Sequence, residues 1–395
     1  MKRRVAILLL TGMATEIMAF DIYTVKKFIS KVRDRLFNSS TSAPEDQKTI
    51  SAPPAGGELV STETALNSRC TSDNDGDPYR FHWGMFSQSH KLAHSVIEDL
   101  AASIQLPRFT KYSAVLKAHH NTVEFLTDNS VTGPDRAWLM VESGMQQQAL
   151  CLLCAARGIG MVYQSSGNDG IALSGGLLQV IQVWLNCMDP SYNGSFWSSD
   201  APSRSRPWMK GNLSDPLRKG TMPLLNALQG LVLDGSGNGM VASVNHIGQL
   251  LWAARGRTPH FYKSEPWGMT IPVCQGLQDL SSVYLVSSEQ LYRYVNFDKN
   301  RPTNSIHPIG RVERALFDRL VRSQGDWKSA IVLSRNDDYA RGDWEVGYSL
   351  LNLLVQARSL GIRYKSILLN DEQSALLRPA GIGSARAMFL VSGTV

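Results

Sequence analysis

His260, Tyr262 and Lys263 stand together on one polar loop, between an apolar stretch around Trp252 and Pro272. Each of these side chains can move a proton in catalysis once its surroundings shift its pKa suitably. The competing reading is an ordinary polar surface loop. Glu142 and Glu345 invite a catalytic reading too, but both read as the opening residues of long apolar helices. A carboxylate there favours the helix dipole, so a structural role is expected. Cys151 and Cys154 form a CxxC inside the apolar run Ala149–Ala156, not on a turn or a helix N-terminus. They are expected to pack rather than to bind metal or cycle redox state. His119 and His120 point apart and have no acidic or Cys partner at ligand spacing, so no metal site is expected. No nucleophile elbow or Ser-His-Asp order is present.

The elements that must position these groups include a pattern that occurs twice. Glu142, Gly144, Leu150, Gly158 and Ile159 recur at the same offsets as Glu345, Gly347, Leu353, Gly361 and Ile362. Each copy reads as a long apolar helix that stops at a glycine and enters an apolar strand. A duplicated unit suggests two halves of a dimer joined in one chain.

The rest of the chain is organised around that repeat. Residues 1–37 read as an N-terminal helix: Lys2-Arg3-Arg4 precede the mostly apolar Val5–Phe20, which Glu16 interrupts. A plain amphipathic helix, a membrane anchor and an export signal all remain open. The chain is then expected to be cytoplasmic, with membrane association through this segment, or else exported. Residues 38–78, rich in Ser, Thr, Pro, Gly and Asp, read as a flexible linker. Two halves follow, 79–205 and 206–395, with the polar, Pro- and Gly-rich stretch Asp189–Asp215 as their boundary. Helices are expected over His90–Ile104, Leu173–Met188, Met222–Leu228, Val244–Arg255 and Val312–Arg322. Strands are expected at Met161–Tyr163, Ser282–Ser287, Lys328–Ser334, Arg363–Leu369 and Ala387–Ser392. Helices wrapped around small mixed sheets make an α+β fold.

Composition bounds the function. The 395 residues are 43% apolar and 19% charged, which fits a globular protein with a sizeable core. A formal charge of +6 is mild, and Lys and Arg are scattered, so nucleic acid is not an expected partner. The five cysteines form no framework and demand no oxidising compartment.

Several segments resemble one family. Gly248-Gln249-Leu-Leu-Trp252-Ala-Ala-Arg255-Gly256 is similar to the "LLWAAxG" helix of the flavin-dependent nitroreductase superfamily. Thr270-Ile-Pro272-Val-Cys-Gln-Gly276 stands where that family has its "TxPSAGALYP" turn. Ser282–Val286 with Leu291–Tyr294 resembles its "LEVYLV…GLYRY" stretch. Glu345, Gly347, Asn352 and Gly361-Ile362 resemble "ExGxxxQNxxLxAxxLGL", and Gln148 supplies the Gln of that motif in the first copy. The SagB-type dehydrogenases and their single-chain tandem relatives look most similar, with Tyr79–His90 and Leu106–Tyr112 resembling their N-terminal segments. The likeness covers roughly residues 79–395.

The resemblance implies a nitroreductase-like fold whose two halves form an intramolecular pseudo-dimer with FMN between them. It implies two-electron transfer to or from a peptide azoline, a quinone or a nitro compound. A reductase or modification-complex partner would accompany a small-molecule or peptide substrate. The flavin itself moves the hydride, and the protein supplies close backbone and orientation. Pro272, Val273, Cys274 and Gly276 could provide such a turn, and so could Gln164, Ser165, Ser166 and Gly167. His260, Tyr262 and Lys263 would handle protons. The family's arginine-rich "RRSxR" falls on Leu225–Gly237, which has no arginine. Arg255 and Arg257 are the expected substitutes for the phosphate grip. The glycine-rich Asp234–Gly239 lacks a P-loop Lys and reads as a plain loop. A flavin-free relative acting as a binding or partner subunit is the alternative.

Overall fold

The computed structural model describes residues 48–50, 60–69, 90–112, 114–119, 122–157, 159–165, 171–172, 176–187, 208–237, 239–258, 268–272, 281–336 and 340–395. The expected N-terminal helix, most of the expected linker and much of the expected boundary lie outside them. Residues 48–395 form one compact unit.

In chain order the unit begins with β1 (Lys48–Ile50), α1 (Thr62–Ser68), β2 (His90–Leu92), α2 (His94–Ala102), β3 (Ala114–His119) and β4 (Thr122–Asp128). Next come α3 (Gly133–Arg157), β5 (Ile159–Ser165), β6 (Ile171–Ala172) and β7 (Leu177–Cys187). The chain continues with α4 (Leu224–Gln229), α5 (Val244–Arg255), β8 (Arg257–Thr258), β9 (Gly268–Met269), β10 (Ser281–Ser287), β11 (Gln290–Asp298) and β12 (Arg301–Arg311). It closes with α6 (Arg314–Leu320), β13 (Ser329–Arg335), α7 (Ala340–Leu360), β14 (Tyr364–Leu368), α8 (Asp371–Leu377) and β15 (Ser384–Val391).

Two main sheets result. One has the order β1-β2-β7-β4-β3, with β5 and β6 also on β7; the other runs β12-β11-β10-β13-β15-β14. The run β3-β4-β7-β5 has the same order and antiparallel pairing as β10-β13-β15-β14. In each run a long helix, α3 or α7, joins the second strand to the fourth. This is the mixed helix-and-sheet class that the sequence suggests.

α3 and α7 lie side by side in the middle of the molecule, buried along most of their length. They touch at two glycines. A methyl on Gly144 would overlap the backbone carbonyl oxygen of Trp344, and one on Gly347 would overlap that of Val141. The contacts are reciprocal, because each glycine meets the residue three places before the other. Absent side chains let the two backbones approach this closely.

The core follows from strand periodicity. In β13, Ile331 and Leu333 face the large central core, while Ala330 and Val332 face a smaller one. β15 repeats the alternation with Ala387 and Phe389 against Met388 and Leu390. The central core draws Phe125, Val141, Leu150 and Met161 together with Leu250, Val346, Leu353 and Phe389, so both expected halves share it.

Some expectations need correction. Leu173–Met188 contains no helix among its described residues; Leu177–Cys187 is the strand at the centre of the first sheet. The repeat helices do not begin at their glutamates. α3 starts at Gly133, followed by Pro134, whose missing N–H costs nothing in a first turn, and α7 starts at Ala340. Glu142 and Glu345 therefore sit inside helices, away from the dipole ends. The linker reading fails at Thr62–Ser68, a helix capped by Ser61 and almost wholly buried. α5 matches its expected bounds, opened by a capping box between Ser243 and His246.

Candidate functional site

The site forms where α3, α5 and α7 converge on the segment Gly268–Pro272. α5 ends at Arg255, and Gly256 leads into the short ribbon of β8 and β9, with Arg257 opposite Met269. The ribbon delivers Thr270, Ile271 and Pro272 into the interior, where all three are buried.

Two successive carbonyls of this segment are held by buried side chains from three elements. Arg69, just after α1, donates to the Met269 carbonyl through Nη2 at 2.7 Å and Nε at 3.2 Å. Gln148 of α3 donates to the Thr270 carbonyl at 2.9 Å, and Asn352 of α7 donates to the same oxygen at 3.1 Å. Gln148 also donates to Asn352 Oδ1 at 2.8 Å, and Asn352 donates to the Ala253 carbonyl at 2.8 Å. The Thr270 N–H completes the grip by donating to the Gly256 carbonyl at 3.0 Å. Gln148 and Asn352 have no exposed surface. In so dry a place these hydrogen bonds fix geometry, while Gln148 Oε1 accepts none. Gln148 and Asn352 are the motif residues of the two helix copies, and here they meet on one atom.

Arg255, expected as a phosphate grip, is buried and already paired. It is 4% exposed, and its Nη1 lies 3.0 Å from Glu345 Oε2. The same nitrogen contacts Ser281 Oγ, which donates to Glu345 at 3.1 Å, and Asn296 donates to the Arg255 carbonyl. Glu345 thus neutralises a buried guanidinium. Arg257 is half-buried, with its guanidinium over the Phe297 ring at 4.8 Å, at the start of the ribbon that feeds the held segment.

The other glutamate of the repeat does something different. Glu142 accepts from the Thr110 N–H at 2.7 Å, from the Thr110 hydroxyl at 2.8 Å and from the Phe109 N–H. Burial pushes its carboxyl above the ordinary range, against the pull of these donors and of Arg108. It lines a narrow notch with Leu106, Arg108, Met145 and Gln146. Cys151 and Cys154 pack in the core, and burial raises the Cys154 thiol further from its reactive form.

Of the sequence-derived site residues, Pro272, Arg255 and Arg257 gather in this region. Gln164 and Ser165 lie in β5, paired with Gln182 and Ile181 of β7. His260, Tyr262, Lys263, Val273, Cys274, Gly276, Ser166 and Gly167 lie outside the described residues. Arg69 was missed because its surroundings read as linker. Its signal was Ser61 capping a short run that carries Ala65 and Leu66.

No protein-family model matches the chain. No curated protein matches it either. Among solved structures the chain is similar to a candidate nitroreductase of Ralstonia eutropha JMP134, at 18% identity and a TM-score of 0.35, over 48% of this chain and 95% of that one. It is also similar to a candidate nitroreductase of Anabaena variabilis ATCC 29413, at 10% identity and a TM-score of 0.45, over 69% of each chain. Likeness at this level carries no argument about activity. Among the described residues no helix is long and apolar enough to cross a membrane.

Proposed function

We propose that the chain is a nitroreductase-like oxidoreductase whose two repeated halves form an intramolecular pseudo-dimer and hold FMN beside the Gly268–Pro272 segment. One observation carries the reading: Arg69, Gln148 and Asn352 turn the Met269 and Thr270 carbonyls inward. The residues that follow, Val273–Gly276, resemble the family's flavin-contacting turn in sequence. The equal strand orders around α3 and α7, and the reciprocal glycine contacts, support the duplication.

The residues present fit FMN unevenly. Arg255 does not fit the phosphate, because its charge is met by Glu345. Arg257 fits better, because it is partly exposed and its guanidinium is braced against Phe297. Bound FMN supplies two-electron chemistry toward a peptide azoline, a quinone or a nitro compound. The chain's own part would be to orient the group through the held Gly268–Pro272 segment and to offer Arg257 to its phosphate. His260, Tyr262 and Lys263 would exchange protons with the medium.

The Arg255–Glu345 pair favours a second reading, a flavin-free partner subunit, since it withdraws one cation from any phosphate. The purified full chain separates the two. The first reading expects a flavin absorption spectrum, or saturable FMN binding by the apoprotein, and release of FMN on denaturation. It also expects Arg257→Ala to weaken FMN at least tenfold, from the loss of a charge-assisted contact worth about 1.5–3 kcal/mol. A folded, colourless protein that FMN does not titrate would establish the second.

A further inference from the structure

The buried face of α1 carries an unexplained pair of oxygens. Glu63 is 2% exposed. Its Oε1 accepts from Gln356 Nε2 at 2.8 Å and from Ser359 Oγ at 2.7 Å, which ties α1 to α7. Its Oε2 is buried and has no hydrogen-bond partner. Gly220 packs against that oxygen so closely that a side chain there would collide with it. Asn67, one helical turn on and also 2% exposed, buries its Oδ1 without a partner. Among the described residues no Lys, Arg or His forms an ion pair with Glu63.

A buried carboxylate without a counter-charge is expensive. Residues four apart on a helix are neighbours, with Cβ atoms about 5–6 Å apart, so the two bare oxygens can share one ligand. Both are acceptors, and both are hard oxygen donors of the kind that hold alkali and alkaline-earth ions. A single carboxylate balances a single positive charge, whereas divalent sites recruit more carboxylates. We propose that Glu63 and Asn67 form a binding site for a desolvated monovalent cation, sodium or potassium in size, which clamps α1 onto α7. The proposal does not depend on flavin binding.

The test is urea unfolding of the full chain in lithium, sodium, potassium and tetramethylammonium chloride at one ionic strength. One small cation should raise the midpoint saturably. At ten times its dissociation constant it should increase the folded-to-unfolded ratio about elevenfold, while tetramethylammonium, too large to be desolvated there, does nothing. Glu63→Gln should abolish the difference between salts, and Asn67→Asp, by adding a carboxylate, should shift the response toward calcium or magnesium. Equal midpoints in all four salts for the unaltered protein would overturn the site. In that case a bridging water, or the Asn67 amide turned to donate to Glu63, satisfies the oxygens. A cation response that persists undiminished in Glu63→Gln would overturn it as well.

Discussion

Single residues here are governed by what their buried charges face. Arg255 and Glu345 are nearly inaccessible and depend on each other. Arg255→Met should therefore cost about 3–5 kcal/mol in urea unfolding, because it leaves a buried carboxylate uncompensated. Glu345→Gln made together with it should restore part of that loss. Glu142 gives a pH signature. Its carboxyl is raised in the folded chain, so folding favours the protonated form. That contribution is present on the acid side and is lost as pH rises from the usual glutamate value through the raised one. Stability measured against pH should show Glu142→Gln gaining on the unaltered protein across that interval. A constant difference would mean that the carboxyl titrates alike in both states. Asp343 has the same sign, because burial outweighs its bonds to Arg335 and Arg386. None of these partnerships was legible beforehand. Sequence marks a glutamate near a helix, but which cation or amide it meets is fixed by elements far along the chain.

Elements were read best where local chemistry acts alone. α5 was legible at both ends because Ser243 caps it and Arg255-Gly256 closes it. α7 was legible at its C-terminus, where Gly361 takes a left-handed φ of 64° and Ile362 donates back to the Ala357 carbonyl. β7 was misread because Leu177–Cys187 is an apolar run whose period does not separate a central strand from a buried helix. β12 was not anticipated, since Pro302, Pro308 and Gly310 within it are poor strand formers. The helix crossing makes a graded prediction. Gly144→Ala and Gly347→Ala place a methyl on facing backbone and should each cost about 1–3 kcal/mol or more. Gly248→Ala in α5 meets side chains alone, Leu213 at 3.4 Å and Asn304 at 3.8 Å, and should be neutral, or gain up to about 1 kcal/mol. Thermal or urea unfolding of the three variants checks the order, and equal losses at all three would refute the close approach.

At the scale of the molecule the two expected halves are not separable bodies. One core draws on both, and α3 supplies to α7 the apolar surface that solvent would otherwise cover. A fragment of residues 206–395 should therefore lack the near-ultraviolet dichroism and sharp amide spectrum of a folded domain. Co-expression with residues 48–205 should restore them, whereas a well-folded lone fragment would contradict the shared core. The Gln148–Asn352 contact has a consequence of another kind. Two identical subunits must make every contact twice across their axis, whereas here Gln148 meets Asn352 once, because the equivalent positions are Leu351 and Ala149. A single chain is released from that constraint. It can mutate one side of the crossing without copying the change to the other, and it stays assembled at any dilution. Under the proposed duplication, one polypeptide can thereby specialise one face of its scaffold for a ligand and leave the opposite face to drift toward a different task.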